Sequence, residues 1–337
     1  MSYLISGTAY YLSPTDLFYC LLYTKSDILE LPKKYPFKGE WGKATSCIEL
    51  ENEELPQSIE ISYLSVIEKS FYYLQIPLNF DLNRIIEDNT EKTLIVGMSP
   101  YGGVAVWYGG KIKSMLVCWE KGELTEVDME DFAPMNTNIG MKEYCDFYIN
   151  NDSIVKENLK TNGLPPRNLF DKYMQQFTYR YQPLFEKWDD GEEVEWQKYK
   201  EDELSPEFEY IDESLFDGTF DKLHDDGLLK YHSAGKPKKL AIKWHIKKSE
   251  YTAYFWFEDE KICSIFERFY GAHPDTKTDF NIRIDAEQKK YELALFRQGL
   301  KEPQIIPEDA YQLLVFKNKF EHYRSDNYNQ ERGAWIW

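Results

Sequence analysis

The chain has 337 residues, which is long enough for two domains with separate hydrophobic cores. Its 58 acidic and 40 basic side chains give a formal charge of −18, which argues against nucleic acid or an anionic membrane as the main partner. The 26 tyrosines, 20 phenylalanines and 9 tryptophans are residue types found in packed cores and in protein-binding surfaces.

The cysteines and the N-terminus bear on the compartment. The five cysteines are scattered, odd in number and never form a C-x-x-C pair, which indicates a reducing compartment and not a disulfide framework or a zinc site. No Lys or Arg precedes Lys25, and Pro14 and Asp16 interrupt the apolar start of the chain. No signal peptide, lipid anchor or membrane span is therefore predicted, and we expect a cytoplasmic protein without a membrane partner.

A regular strand pattern begins at Pro56. Apolar and polar residues alternate over 59–63, which predicts a half-buried strand, and the apolar run 71–76 predicts a second one. A short helix is predicted over 82–86, capped by the preceding aspartate. Residues 1–54 hold two short apolar patches around a loop rich in Lys, Pro and Gly, and we expect them to form an N-terminal extension packed on the first unit.

Three apolar, β-branched and aromatic segments follow between Thr93 and Trp119, separated by two turn signals. Residues 99–103, Ser-Pro-Tyr-Gly-Gly, supply a fixed φ and two glycines for positive φ. Gly109-Gly110 is a two-residue loop typical of a tight hairpin. An antiparallel meander is predicted, with its middle strand in the middle of a sheet.

The first of these turns resembles the start of the nucleophile elbow of hydrolases, with Ser99 in the nucleophile position. Tyr101 replaces the last glycine of that motif, and Pro100 lacks the backbone N–H that an oxyanion hole needs. The pattern therefore favours a turn over a hydrolase site.

Aromatic residues at three- and four-residue spacing over 170–184 predict a closing helix that Pro183 ends. The same order of elements then recurs. Residues 237–244 overlay 56–63 at a constant offset, and the later matches are 252–257 with 71–76, 262–266 with 82–86, 277–278 with 92–93 and 291–296 with 104–108. A final stripe of apolar residues over 313–323 predicts a second closing helix.

From this order we infer a tandem duplication of one β-β-α-β-β unit with a closing helix, although two halves of common α+β patterning are an alternative. The expected fold class is α+β, with two tandem, related antiparallel-sheet units that each carry a short helix and a closing helix. The expected division is an N-terminal extension (1–54), a first α+β unit (55–188), an acidic, aromatic linker (189–235) and a second α+β unit (236–337).

Residues 186–213 have the most unusual composition in the chain, with thirteen acidic groups against three lysines and aromatic residues interleaved. A solvated linker is one interpretation. The other is a binding surface, because an acidic rim around aromatic anchors suits a cationic protein. The candidate partner-binding residues are Trp188, Asp189, Asp190, Glu192, Glu193, Trp196, Tyr199, Phe208 and Tyr210.

Other motifs that carry chemistry give little support for an enzyme. No Gly-rich phosphate loop occurs, and the five histidines lack metal-ligand spacing. His224, Asp225, Asp226 and His232 could in principle bind a metal, but an Asp- and Gly-rich loop is the simpler account. We predict no catalytic residue, no metal and no cofactor.

The meander also carries a resemblance to a bacterial family that is known only as a domain of unknown function. Its signature is a strand followed by Gly-x-x-Pro-x-Gly-Gly-x-Ala-x-Trp, and the matching residues are Gly97, Pro100, Gly102, Gly103, Ala105 and Trp107. The resemblance covers roughly residues 55–188 and implies no reaction. Many members look like lipoproteins, whereas this chain shows no export signal.

Small acidic relatives of that family suggest immunity proteins encoded beside toxins that bacteria deliver to one another, for instance by type VI secretion. The leading hypothesis is accordingly a non-enzymatic cytoplasmic immunity protein that binds and neutralises a cationic toxin in interbacterial competition. The alternative is a small-molecule-binding protein or an enzyme with a site between the two units.

Overall fold

The computed structural model describes residues 3–33, 37–45, 47–50, 54–80, 92–110, 112–134, 139–189, 192–194, 206–228, 230–246, 248–271, 273–285, 290–318 and 321–326. The chain forms two compact units. The first holds Met1–Met174 and Asp217–Thr219, and the second holds Gln175–Phe216 and Phe220–Trp337. Strands dominate and helices are few, which agrees with the predicted α+β class. Among the helices that the structure describes, none combines the length and the apolar character needed to cross a membrane.

The first unit contains ten strands and four α-helices in its described part. They are β1 (Tyr3–Ala9), β2 (Thr15–Tyr23), β3 (Ile28–Glu30), β4 (Cys47–Leu50), β5 (Ser58–Ser65), β6 (Ser70–Pro77), β7 (Lys92–Met98), β8 (Gly103–Gly109), β9 (Ser114–Lys121), β10 (Glu123–Thr125), α1 (Met129–Phe132), α2 (Met141–Asn151), α3 (Ser153–Asn162) and α4 (Leu169–Met174). The strands pair in two series, β10-β6-β5-β2-β3 and β4-β1-β7-β8-β9. Only the β1–β7 pair among them is parallel.

The core of the first unit lies between these two sheets. Alternate residues of each strand point inward, such as Ile59 and Ile61 of β5 and Val104 and Val106 of β8, and all four are fully buried. A second apolar cluster lies where α1 and α2 pack against Leu64 and other residues of the first sheet. These two helices cover only part of the outer face of that sheet.

The second unit contains twelve strands and two α-helices in its described part. They are β11 (Phe177–Asp189), β12 (Glu192–Val194), β13 (Glu207–Leu215), β14 (Phe220–Leu223), α5 (Asp225–Leu228), β15 (His232–Ala234), β16 (Pro237–Ile246), β17 (Ser249–Phe257), α6 (Asp259–Tyr270), β18 (Thr278–Asp285), β19 (Tyr291–Arg297), β20 (Gln304–Ile306), β21 (Tyr311–Lys317) and β22 (Glu321–Asp326). The strands pair in the series β22-β21-β17-β16-β13-β14 and β12-β11-β18-β19-β20, and β15 also pairs with β11. Here β11 and β18 form the parallel pair.

One continuous core fills the second unit. The inner faces of both sheets contribute fully buried residues, including Trp244 of β16 and Phe280 of β18. The predicted helix at 262–266 is confirmed as part of α6, whose buried face includes Ile262, Ile265 and Phe266. The predicted helix at 82–86 lies outside the described residues.

Both predicted closing helices are wrong. In the first, only residues 169–174 are helical, and the chain then continues as β11. Phe177, Tyr179 and Tyr181 are all buried at a spacing of two, so packing on one sheet face prevails over the helical spacing. The predicted helix at 313–323 is likewise two paired strands, β21 and β22.

Other sequence boundaries also change. The described part of the expected N-terminal extension belongs to the sheets of the first unit, because β1 lies between β4 and β7, and β2 lies between β3 and β5. Much of the predicted linker 189–235 forms β12 to β15 of the second unit, where Ile211, Glu213 and Leu215 of β13 are buried at the strand period of two. Each unit also has one parallel strand pair where purely antiparallel sheets were predicted.

Candidate functional site

The predicted partner-binding residues that the structure describes lie on three strands, β11, β12 and β13. Trp188 and Asp189 end β11, where they pair in register with Glu193 and Glu192 of β12. The acidic, aromatic segment therefore begins as a β-hairpin. Three of the predicted residues, Asp190, Trp196 and Tyr199, lie outside the described residues.

The last two predicted residues lie on β13. Phe208 is partly buried against the core of the second unit. Tyr210 has basic neighbours, because the Nζ atom of Lys222 lies 3.8 Å from its ring centre and that of Lys243 lies 5.7 Å away. Phe208 thus contributes to the fold, and Tyr210 belongs to a surface of mixed charge.

A cluster of tyrosines and one carboxylate lies on the outer face of the first unit. The hydroxyl of Tyr23 donates a hydrogen bond of 2.6 Å to Glu60 Oε2, and the hydroxyl of Tyr19 donates one of 3.1 Å to Glu60 Oε1. Tyr73 on β6 is a third aromatic neighbour, because Tyr19 and Tyr73 lie opposite Ser62 of β5 on its two sides. We call Tyr19, Tyr23, Glu60 and Tyr73 the tyrosine–glutamate cluster. All four side chains are half-buried.

Strand register brings this cluster together. Ile59 and Ile61 point into the core, so Glu60 between them points outward. Leu21 lies directly opposite Glu60, which makes Tyr19 and Tyr23 its two diagonal neighbours, within reach of an aromatic side chain. The cluster is therefore built on three paired strands, β2, β5 and β6.

Proton affinities in the cluster follow from its hydrogen bonds. Burial, and then the hydrogen bond to Glu60, raise the pKa of Tyr19 to about 12. The hydrogen bond to Glu60 also raises the pKa of Tyr23. Both phenols are therefore hydrogen-bond donors at neutral pH, and they hold the carboxylate from both sides.

The second unit carries an ionic network on the corresponding sheet. Lys243 Nζ lies 3.0 Å from a carboxylate oxygen of Glu209 and 3.0 Å from one of Glu250. His245 Nε2 lies 2.7 Å from Glu209 Oε2. Burial opposes ionisation here, but the bonds from His245 and Lys243 leave the pKa of Glu209 lowered.

Three of these groups could bind a metal ion by distance alone. The ligand atoms of Glu209, His245 and Glu250 lie within 4.8 Å of one another. Lys243 already bridges the two carboxylates, however, so a metal would have to displace an ammonium group. The arrangement fits an internal ion-pair network better than a metal centre. His224 and His232, considered from the sequence, contact different groups, the backbone oxygen of Glu209 and the side chain of Glu213.

A second carboxylate–tyrosine arrangement lies elsewhere in the second unit and already holds a cation. Asp279 Oδ1 accepts a hydrogen bond of 2.8 Å from the Tyr231 hydroxyl and one of 2.7 Å from Arg180 Nε. The guanidinium carbon of Arg180 lies 4.7 Å from the ring centre of Tyr231. The hydrogen bond to Asp279, together with its negative charge, raises the pKa of Arg180.

The signature turn of the first unit has a structural role. Ser99 is fully buried, and its Oγ lies 3.2 Å from the carbonyl oxygen of Pro100, so a turn residue is confirmed at this position. Tyr101 has a positive φ of 61°, and its backbone N–H donates to Glu68 over 2.7 Å. The hydroxyl of Tyr63 donates to the carbonyl oxygens of Ser99 and Gly103. The turn is thus held by the hydrogen bonds of Ser99, Tyr101 and Tyr63.

Sequence reasoning missed the tyrosine–glutamate cluster, although signals for it were present. Tyr19 and Tyr23 are four residues apart on one strand, and Glu60 is the polar residue between Ile59 and Ile61 on another. Only the pairing of those two strands brings these residues together, and sequence patterns do not show which strands pair. The acidic segment is marked by its composition, which does not report spatial proximity.

Comparison with known proteins adds one finding. Residues 28–166 are similar to the family described as "Protein of unknown function (DUF2931)". The matched region includes Glu60 and Tyr73 of the cluster and the signature turn. No curated protein and no solved structure matches the chain.

Proposed function

We propose that this protein is a non-enzymatic immunity protein that acts in the cytoplasm by binding and neutralising a cationic antibacterial toxin. The observation that carries the proposal is the tyrosine–glutamate cluster. Tyrosine is enriched in the dominant residues of protein interfaces, and a carboxylate fixed among tyrosines suits a basic partner. The formal charge of −18 would further speed association with such a partner.

The acidic, aromatic segment remains part of this proposal as a second contact region. Trp188 and Trp196 would supply short-range binding energy, and Asp189, Asp190, Glu192 and Glu193 would attract the toxin over distance. Replacing both tryptophans by Ala should speed dissociation, with a loss on the order of 2 kcal/mol for each residue that acts as an anchor. Amide replacement of the four acids should mainly slow association and weaken its salt dependence.

The direct test is a co-expression rescue with the product of the neighbouring open reading frame, followed by pull-down. The toxin should arrest growth, this protein should restore it, and the double variant Tyr19→Ser, Tyr23→Ser should restore it less well. A neighbouring product that is harmless in the cytoplasm would contradict the proposal. The alternative of a small-molecule-binding protein or an enzyme stays a prediction.

We further propose that the two units descend from one duplicated unit. The order of the paired strands supports this relation. The first unit has the orders β6-β5-β2 and β1-β7-β8-β9, and the second unit has the equivalent orders β17-β16-β13 and β11-β18-β19-β20. The parallel pairs, β1–β7 and β11–β18, also occupy equivalent places. Separate expression of residues 220–337 would not test this relation, because β11 and β13 complete the second unit. A search for structural similarity between the two experimentally determined units would test it.

A further inference from the structure

Glu60 is held in one orientation by two tyrosine hydroxyls, and we propose that it receives an arginine side chain of the partner protein. The inference rests on the proposed function for the identity of the partner but not for the chemistry of the site. Each carboxylate oxygen has a second lone pair beyond the one used by its tyrosine. Two parallel N–H groups of a guanidinium can therefore bond both oxygens at once.

The chain itself contains a related contact between a carboxylate, a tyrosine and a guanidinium. One oxygen of Asp279, Oδ1, accepts hydrogen bonds from the Tyr231 hydroxyl and from Arg180 Nε, and the guanidinium lies over the ring of the same tyrosine. The cluster around Glu60 supplies the same two components, a carboxylate and aromatic rings. Among the residues that the structure describes, no Lys, Arg or His side chain forms an ion pair with Glu60. An arginine of another protein would complete the arrangement.

The geometry favours arginine over lysine. Lysines of this chain pair with one carboxylate or lie between two, as Lys243 does between Glu209 and Glu250. Glu60 is a single carboxylate with each oxygen already bound by one tyrosine hydroxyl. The ammonium group of lysine is a point charge and does not match the two oxygens of the carboxylate. The guanidinium of arginine is a planar fork of donors that matches both oxygens and also stacks on tyrosine rings.

Holding Glu60 in advance also reduces the cost of binding. A free glutamate on a sheet surface loses rotamer freedom when it pairs with a cation, and this loss offsets much of the gain at exposed ion pairs. The tyrosine hydroxyls have already restricted Glu60 in the unbound protein. The interaction should therefore be stronger than that of an ordinary surface glutamate.

The test measures binding of a fluorescent hexa-arginine peptide and a hexa-lysine peptide to the full-length chain at equal ionic strength. The arginine peptide should bind about tenfold more tightly, the effect of a charge-assisted hydrogen bond. Glu60→Gln should remove this preference. Its melting temperature should match that of the wild type, because the amide oxygen still accepts a tyrosine hydroxyl.

The matched control is Glu30→Gln, which removes the same charge from an exposed position on β3, in the same sheet. It should leave the preference for arginine unchanged. Tyr19→Phe with Tyr23→Phe keeps both rings and should lower the preference severalfold, because Glu60 is no longer held. Equal binding of both peptides, or an arginine preference that survives Glu60→Gln, would overturn the proposal. Arginine binding at Glu60 without toxin rescue would overturn only the proposed function.

Discussion

The two units use the same strand-pairing scheme on different surfaces. In each unit, an antiparallel hairpin lies beside a strand that precedes it in sequence, and a three-stranded meander pairs in parallel with an earlier strand. Tyr63 and Trp244 occupy the same place in the two hairpins, and both are fully buried. The inner faces of the two units thus bury a large aromatic side chain at the same position of the hairpin.

The outer faces differ most at the end of the hairpin. In the first unit, Leu64 pairs with Phe71, and both are buried beneath α1 and α2. In the second unit, the pair at the corresponding place is His245 with Glu250, and it belongs to the ionic network of Lys243. Whether helices cover a strand pair thus determines which side chains it can carry. An apolar pair must be covered, and an ionic pair needs partners or water.

Exchanging these residues should give the largest effect. Leu64→His places an imidazole in a fully buried apolar cluster and should lower the free energy of unfolding by about 3–5 kcal/mol. His245→Leu, the matched change in the second unit, should cost less than about 1 kcal/mol, because the position is half-exposed. Denaturant unfolding measures both. Equal costs would show that the cover by the helices does not control the chemistry at this place.

The helical cover of the first unit should also make stability depend on pH. Asp16 is fully buried and accepts a hydrogen bond from Tyr144 of α2. Burial raises its pKa from 3.8 to about 6, so the folded protein keeps this proton at pH values where the unfolded chain has lost it. The resulting stabilisation, about 3 kcal/mol, is complete below about pH 4 and is lost as the pH rises through about 6.

Asp16→Asn tests this dependence, because the amide stays neutral at every pH. Unfolding free energies should be measured from pH 4 to pH 7 for both proteins. The wild type should lose stability relative to the variant across this range. A constant difference between the two proteins would contradict the assignment.

The meander of the first unit should tolerate little change at Gly109, the last residue of β8. A Cβ atom there would lie 2.3 Å from the carbonyl oxygen of Lys113. The predicted two-residue turn is wrong, because Gly109 is the last residue of β8 and pairs with Ser114. A side chain at Gly109 is disfavoured because the neighbouring backbone lies close to it, and not because the residue has a positive φ. Gly109→Val should cost about 1–3 kcal/mol by thermal unfolding. Gly140→Ser, where no atom lies within 4 Å, should be nearly neutral.

The smallest expected effect concerns the ion-pair network of the second unit. Lys243→Met removes the ammonium group between Glu209 and Glu250 and should change stability by less than about 1 kcal/mol, because the pairs are partly solvated. Loss of the lysine should raise the pKa of Glu209, which NMR titration of its side chain would detect. An unchanged pKa would mean that Lys243 is not the cation that holds this carboxylate.

Sequence patterns predicted the strands well where one face is buried. The alternation at 59–63 and 237–244 and the apolar runs of the meander became β5, β16, β7 and β8. The closing helices failed because aromatic residues over 170–184 fit both a helical stripe and a strand face, and only packing decides between them. The match of 252–257 with 71–76 is also out of register by two residues. Four residues connect β5 to β6 but only two connect β16 to β17, so Thr252 corresponds in position to Tyr73.

The candidate site was harder to predict, because its residues come from three strands. Tyr19, Glu60 and Tyr73 are far apart in sequence and meet only through the pairing of β2, β5 and β6. Neither charge nor composition marks any one of them. The family similarity over residues 28–166 includes two of the three but carries no assigned role.

The central claim is that the tyrosine–glutamate cluster accepts an external cation, whereas the network around Lys243 has an internal one. NMR spectra of ring-labelled tyrosines, recorded during titration with N-acetyl-arginine amide, test this claim most directly. The resonances of Tyr19, Tyr23 and Tyr73 should shift together and saturate, while those of Tyr210, beside Lys243, should not shift. Shifts at Tyr210, or none at Tyr19 and Tyr23, would contradict it.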